Sequence, residues 1–156
     1  MSNGLKDELT IVRMLNAPRD KVWRACREAE ALSQWWGLPD DATMLSCQVD
    51  FRLGGALQIG VQQPGRPAIF FKCIYRDIVE GEQLVMEQHL CDEAGREKDS
   101  PDWPATTITL RLENADGKTR LTVVHAGLAS GIATVENFTE GWSQSLDRLA
   151  NSLTRL

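Results

Sequence analysis

The C-terminal stretch of the chain constrains the fold more than any other segment. Between Thr134 and Leu156 the apolar residues recur at alternating steps of three and four, which places them in one stripe along an α-helix. The stripe consists of Val135, Phe138, Trp142, Leu146, Leu149, Leu153 and Leu156. A stripe of this length has to be buried, and the only large partner upstream is a series of strand-like segments. The sequence therefore predicts a long helix packed on a sheet, an arrangement that often leaves a pocket between them.

Upstream of this helix, short alternating runs of apolar and polar residues end at glycine-rich turn signals such as Gly54-Gly55 and Asp116-Gly117. The predicted strands cover about residues 9–15, 45–53, 57–61, 69–75, 84–90, 105–112 and 121–125, and two helices cover about 18–27 and 30–36. In the second strand, Leu45, Cys47, Val49, Phe51 and Leu53 are expected to face inward. Hairpin connections imply antiparallel pairing, so the fold class is α+β.

Length, charge and cysteine usage restrict the class of protein. A chain of 156 residues is most simply one domain over residues 1–156, with a core at about 9–155. The net charge of −5 argues against broad binding of nucleic acid or anionic membranes. The sequence contains no apolar run long enough for a membrane span and no export signal, and its four cysteines form no CxxC pair. These features predict a cytoplasmic protein with reduced thiols.

Residues with catalytic or ligand-binding chemistry are sparse. The sequence has no phosphate-binding glycine loop, no nucleophile elbow and no cluster of histidines and cysteines, so we expect no metal, no cofactor and no assigned catalytic residue. Strand parity places His125 on the inner face, where it is either a proton donor or polar anchor for a ligand, or a core histidine hydrogen-bonded to the backbone. Tyr75 and Gln88 are the other polar residues expected to face inward.

Aromatic residues and one glycine bear on whether a pocket exists. Four of the five tryptophans, Trp23, Trp35, Trp36 and Trp142, lie on predicted helices, where they either fill the core or line a cavity. Gly141 lies inside the last predicted helix, where glycine costs about 1 kcal/mol relative to alanine. A close approach of the helix to the sheet, or a slight bend that opens a pocket, would explain this glycine.

Four short segments carry a family resemblance. They are Ala-Pro-Arg-Asp-Lys-Val-Trp-Arg-Ala at 17–25, Leu-Ser-Gln-Trp-Trp-Gly at 32–37, Asp-Phe-Arg-Leu-Gly-Gly at 50–55 and Glu-Gly-Trp at 140–142. In this order and spacing they resemble the homologues of the activator of heat-shock-protein-90 ATPase, a family of the START-like or SRPBCC superfamily. The resemblance spans about residues 9–153. It implies a helix-grip fold, in which a curved antiparallel sheet wraps around a long C-terminal helix and encloses a deep apolar cavity.

The resemblance also limits what can be carried over to this chain. The superfamily includes cyclases, hydroxylase components and pollen-allergen-like binders, and it supplies no universal catalytic residue. The family name comes from a co-chaperone in which a similar domain follows a chaperone-binding domain. The 156 residues leave no room for that second domain, so a chaperone partner is retained only as an alternative.

Together these observations predict a protein that binds a small hydrophobic or amphipathic ligand between the C-terminal helix and the sheet. The predicted lining residues are Trp23, Trp35, Trp36, Phe51, Phe71, Tyr75, Met86, His125, Phe138 and Trp142. One alternative is an enzyme of cyclase or hydrolase type that uses His125 or Tyr75 as acid or base. The other is an interaction module, either a homodimer or a chaperone-associated domain, which would expose an apolar patch of several hundred Å².

Overall fold

Seven strands and three α-helices make up the part of the chain that the computed structural model describes, which is residues 7–38, 40–98, 103–128 and 135–154. In chain order these elements are β1 (Asp7–Leu15), α1 (Arg19–Arg27), α2 (Ala29–Leu32), β2 (Thr43–Val49), β3 (Ala56–Gln62), β4 (Ile69–Val79), β5 (Gln83–Cys91), β6 (Thr106–Ala115), β7 (Lys118–Leu128) and α3 (Val135–Leu153).

The strands form one antiparallel sheet in the order β1-β7-β6-β5-β4-β3-β2. Strands β2 to β7 pair with their neighbours in sequence, while β1 pairs with β7. The sheet therefore curves with β1 and β2 as its edges, and α3 packs on its inner face. This arrangement is the helix-grip fold, and the predicted α+β class is confirmed.

Alternating residues of the strands and the stripe of α3 build a common core. Ile108, Leu110 and Leu112 are buried on β6, as the alternation predicts. The C-terminal half of α3 buries Leu146, Leu149 and Leu153 against the same core. At the edge of the sheet, Arg13 of β1 forms an ion pair with Asp147 of α3, with 2.7 Å between Nη1 and Oδ1. Burial of the apolar stripe thus fixes α3 across the sheet, as predicted.

The second strand departs from the prediction at both ends. Leu45 is 49% exposed and Leu53 is 62% exposed, so the expectation that both face inward is wrong. The register between β2 and β3 shifts between Met44 and Ser46, and such a shift reverses the side on which the next side chain lies. Leu53 lies beyond β2 in a turn, where the Gly55 N–H donates to the Arg52 carbonyl.

The second helix is shorter than predicted because it gives way to tight turns. α2 ends at Leu32, and the Trp35 N–H then donates to the Leu32 carbonyl, an i→i+3 bond. Gly37 ends this segment with a φ of 64°. Trp35 and Trp36 therefore lie on turns rather than on a helix. Of the predicted helical stretch from Thr134 to Leu156, both end residues lie outside the described residues.

Candidate ligand-binding site

A cavity of about 190 Å³, here called the α3 pocket, lies between the N-terminal half of α3 and the inner face of the sheet. Helix α3 contributes Phe138, Gly141, Trp142 and Ser145, and the strands contribute Ile59, Val61, Ile69, Phe71, Gln88 and His125. The connecting segments contribute Trp36, Gly37, Ala42, Gln63, Arg66, Pro67 and Trp103. Most of these side chains are apolar, which is typical of sites for small organic molecules.

The two halves of α3 meet the sheet differently, and this difference leaves the α3 pocket open. Leu146 and Leu149 pack without exposed surface, whereas Gly141 lies one to two turns earlier on the pocket wall. A Cβ at Gly141 would have no heavy atom within 4 Å apart from its own helix. The interpretation of Gly141 as a close approach between helix and sheet is therefore wrong. The glycine borders free space, which an added side chain would enter.

His125 is held in a chain of side-chain hydrogen bonds on the pocket wall. The Trp142 Nε1–H donates to His125 Nδ1 at 3.0 Å, and His125 Nε2 lies 2.8 Å from Thr106 Oγ1. An indole nitrogen can only donate, so Nδ1 accepts and the proton of the neutral ring resides on Nε2, which donates to Thr106. Phe138 stacks on the imidazole with ring centroids 4.7 Å apart.

Burial determines the protonation state of this histidine. His125 is 1% exposed, and desolvation lowers its pKa from 6.5 to about 4. Both ring nitrogens are occupied by protein partners, and they are side chains rather than the backbone groups expected of a core histidine. His125 is therefore better explained as a fixed, neutral residue of the pocket wall than as a group that exchanges protons with a substrate.

The ten predicted lining residues separate into two groups. Trp36, Phe71, His125, Phe138 and Trp142 line the α3 pocket, and their contact with a ligand stays a prediction. The other five, Trp23, Trp35, Phe51, Tyr75 and Met86, are not on its wall but pack elsewhere in the core or at its border.

The second group fills the region of the sheet next to α1. The Trp35 Nε1–H donates to the Ala25 carbonyl at 2.9 Å, and the Trp23 Nε1–H donates to Glu80 Oε1 at 3.1 Å. The ring of Phe51 contacts both Trp23 and Tyr75 edge to face. Helix α1 and the turns after α2 therefore occupy this region, whereas the α3 pocket lies where the N-terminal half of α3 faces the sheet.

Tyr75 is buried with its hydroxyl unsatisfied. It is 1% exposed, and its hydroxyl oxygen has no hydrogen-bond partner in the described part of the chain. Desolvation, together with the neighbouring Cys73, Cys47 and Cys26, raises the pKa of the phenol above its ordinary value. The phenol therefore keeps its proton, and its position away from the α3 pocket gives no support to a role as acid or base.

Trp103 and Arg66 are among the wall residues that were not predicted from the sequence. Trp103 packs between Phe71 and Phe138, with ring centroids 5.1 and 5.8 Å away. It comes from the polar segment at 92–104, where a lone aromatic residue was the available signal. Arg66, in the turn between β3 and β4, is exposed and is the one charged residue on the described wall of the pocket.

The remaining chemistry of the described residues is simple. None of their His, Cys, Asp and Glu side chains form a group of three or more that could hold a metal ion. All four cysteines are free thiols. Among the described helices, none has the length and apolar character needed to cross a membrane.

A curved antiparallel sheet that grips a C-terminal helix beside an apolar pocket defines a class of ligand-binding domains. Within this class, the chain belongs to the family of activator of Hsp90 ATPase homolog 1-like proteins, whose family model matches residues 16–154. This match confirms the resemblance carried by the four sequence segments. No curated protein matches the sequence.

Solved structures support the same fold. A protein from Chromobacterium violaceum is 25% identical with a TM-score of 0.78, covering 96% of this chain and 98% of that chain. A protein from Mycobacterium smegmatis is 23% identical with a TM-score of 0.80, covering 96% and 91%. The AHSA1 protein from Silicibacter pomeroyi is 17% identical with a TM-score of 0.75, covering 94% and 97%. The helix-grip architecture is thus shared at low sequence identity.

Proposed function

We propose that the protein binds a small, predominantly apolar molecule in the α3 pocket. The observation that carries this proposal is a cavity of about 190 Å³ walled by aromatic and aliphatic side chains next to a fully packed core. Protein interiors are close-packed and contain few voids larger than a water molecule. A cavity of this size, left open at Gly141, therefore favours an occupant over incomplete packing.

The volume of the pocket limits the size of the ligand. An apolar cavity of about 150 Å³ binds benzene, whereas pockets for drug-sized ligands measure about 300–1,000 Å³. At about 190 Å³ the α3 pocket accommodates one ring with a short substituent, or a branched aliphatic group of similar size. A larger amphipathic molecule would extend past the exposed Arg66 into solvent. Single-ring compounds are therefore better first probes than sterols or long-chain lipids.

A thermal-shift measurement with a matched pair of variants tests this proposal. The probes are toluene, ethylbenzene, acetophenone, indole and a branched aliphatic alcohol. A ligand that binds only the folded state raises Tm, by an amount that grows with its concentration relative to Kd. We expect at least one probe to raise the Tm of the wild type. Gly141→Leu, which places a side chain in the pocket, removes this shift.

The control is Thr139→Leu, which adds the same side chain at an exposed position of the same helix and leaves the shift intact. The absence of any shift in the wild type contradicts the proposal. An equal shift in the wild type and in Gly141→Leu contradicts the placement in the α3 pocket.

The two alternatives receive less support. For an enzyme, His125 has both ring nitrogens bound to protein groups, and Tyr75 is off the pocket wall. For a homodimer or a chaperone-associated module, one exposed apolar patch is expected. The exposed large apolar residues among the described ones are instead spread over β1, β2, β4 and a turn.

The free thiols are compatible with a cytoplasmic location, which we retain as part of the proposal.

A further inference from the structure

Gln88 presents a buried polar group to the α3 pocket. It lies on β5 at the centre of the sheet, paired in register with Cys73 of β4 and Thr106 of β6. Gln88 is 8% exposed and lines the pocket, so the residue is more than nine-tenths buried and borders the cavity. A primary amide in this position has two N–H donors and one carbonyl acceptor that need partners.

A hydrogen bond from the neighbouring strand fixes the orientation of this amide. The Cys73 thiol donates to Gln88 Oε1, with 3.6 Å between sulfur and oxygen. The carbonyl end of the amide thus points toward Cys73. The amide nitrogen has no hydrogen-bond partner among the described residues and is the free end.

The surroundings of this free donor discriminate between kinds of acceptor. The neighbouring polar wall residues, His125 and Ser145, are uncharged, because burial keeps His125 neutral. Arg66 is exposed and belongs to the turn between β3 and β4, whereas Gln88 pairs with the middle of β4. A carboxylate beside Gln88 would be desolvated without a buried cation, which is costly, whereas a neutral carbonyl oxygen is much cheaper to desolvate.

From this geometry we infer that the natural ligand is a small apolar carbonyl compound whose oxygen accepts a hydrogen bond from the amide nitrogen of Gln88. The inference rests on the proposed function, since it specifies the chemistry of a molecule in the same pocket. Gln88 is thus a specificity-determining residue. It favours a ketone, aldehyde, ester or quinone oxygen over a plain hydrocarbon of the same shape and over an acid.

The test compares three ligands of nearly equal size by isothermal titration calorimetry. Acetophenone carries the carbonyl, ethylbenzene replaces it with a methylene group, and benzoate replaces it with a carboxylate. In the wild type we expect acetophenone to bind about fivefold more tightly than ethylbenzene or better, because one net hydrogen bond is worth about that much. Benzoate is expected to bind more weakly than acetophenone.

Gln88→Leu removes the amide and nearly preserves the volume. In this variant ethylbenzene binds at least as well as in the wild type, and the preference for acetophenone disappears. Ser145→Ala, which removes a different neutral polar group of the wall, is the matched control and retains the preference. Circular dichroism and Tm verify that both variants are folded.

The outcomes separate the two proposals. If none of the three ligands binds the wild type, the proposed function fails. If ethylbenzene and acetophenone bind equally, or if benzoate binds best, the pocket is functional but the carbonyl inference is overturned. A preference that survives in Gln88→Leu and is lost in Ser145→Ala also overturns the assignment to Gln88.

Discussion

Two buried hydroxyl groups show how differently single residues are stabilised in this core. The Tyr75 hydroxyl has no partner among the described residues, whereas the Thr119 hydroxyl donates to the Ala17 carbonyl at 2.8 Å. An unsatisfied buried polar group costs free energy that its removal recovers, while the loss of a satisfied one leaves its partner unpaired. Removal of the hydroxyl group from these two residues should therefore have opposite effects on the free energy of unfolding.

Tyr75→Phe is expected to leave the free energy of unfolding unchanged or to raise it by up to about 1 kcal/mol. Thr119→Val, the matched deletion of a satisfied hydroxyl, is expected to lower it by about 1–2 kcal/mol. Urea denaturation of the two variants and the wild type measures both changes. A loss of more than 1 kcal/mol in Tyr75→Phe would mean that its hydroxyl is paired in solution.

His125 makes the stability of the protein depend on pH. Its pKa falls from 6.5 in the unfolded chain to about 4 in the folded state, so the unfolded chain takes up the proton first as the pH is lowered. The contribution of neutral His125 is therefore complete above pH 6.5, decreases as the pH falls toward 4 and levels off below that. A shift of this size corresponds to about 3 kcal/mol.

We expect the wild type to lose about 3 kcal/mol more stability between pH 7 and pH 4 than His125→Gln does. Glutamine can also accept from Trp142 and donate to Thr106, but it does not titrate. Chemical denaturation at several pH values gives the two curves. If they run parallel across this range, His125 has an ordinary pKa in the folded protein.

For single residues, the sequence could predict which face of the sheet a side chain lies on, but not its hydrogen-bond partners. Strand alternation correctly put His125 on the inner face of the sheet. Its two partners, Thr106 and Trp142, lie 19 and 17 residues away on other elements, and only the packed arrangement brings them together.

Helix α3 combines a packed half with a half that borders a cavity, and Gly141 marks the change. A methyl group at Gly141 would have no neighbour within 4 Å outside the helix, so alanine fits without strain. Gly141→Ala is expected to raise the free energy of unfolding by about 0.5–1 kcal/mol, because alanine reduces the backbone entropy of the unfolded chain. Urea denaturation measures the gain.

The control for this substitution is Gly55→Ala, where the added methyl group would lie 2.2 Å from the Asp50 carbonyl oxygen. We expect this variant to be clearly destabilised. Destabilisation of Gly141→Ala to a similar degree would show that α3 lies closer to the sheet in solution and that the pocket is smaller.

The existence and type of elements were well predicted because periodicity is a local property of the sequence. The strands, the hairpins and the long last helix all follow from it. The exposure of Leu45 could not be predicted in the same way. It depends on the register shift between Met44 and Ser46, and that shift is defined only by the pairing with β3.

At the scale of the whole molecule, the reactivity of the cysteine thiols depends on opening of the core. Burial raises the pKa of Cys26 and of Cys73 from 9.0 to about 12 for each, while Cys47 is only half-buried. Because the thiolate is the reactive form, Cys26 and Cys73 react only when the core opens. Alkylation with iodoacetamide at pH 8, followed by peptide mass spectrometry, is expected to modify Cys47 first.

Leu146→Ala provides the control for this prediction. Leu146 has no exposed surface, and its truncation is expected to cost about 2–5 kcal/mol of global stability. This variant should accelerate the alkylation of Cys26 and Cys73 far more than that of Cys47. Equal acceleration at all three sites would indicate that Cys47 is protected by the same global unfolding.

The fold as a whole was predictable from the sequence, but only five of the ten predicted lining residues lie on the wall of the α3 pocket. The alternation of residues along a strand predicts which side chains face inward. It does not predict which part of the inner face is covered by other elements and which part stays open. The region that contains Trp35 and Tyr75 is filled by α1 and the turns after α2, and the region near Phe71 is left open to the pocket. Trp103 reaches that open region from a segment without periodicity, so no pattern could place it.

Three of the five indoles, those of Trp36, Trp103 and Trp142, surround the α3 pocket, while Trp23 and Trp35 lie apart from it. A ligand that displaces water from these rings is expected to change their ultraviolet emission. The intrinsic tryptophan fluorescence of the protein can therefore report ligand binding without an added label.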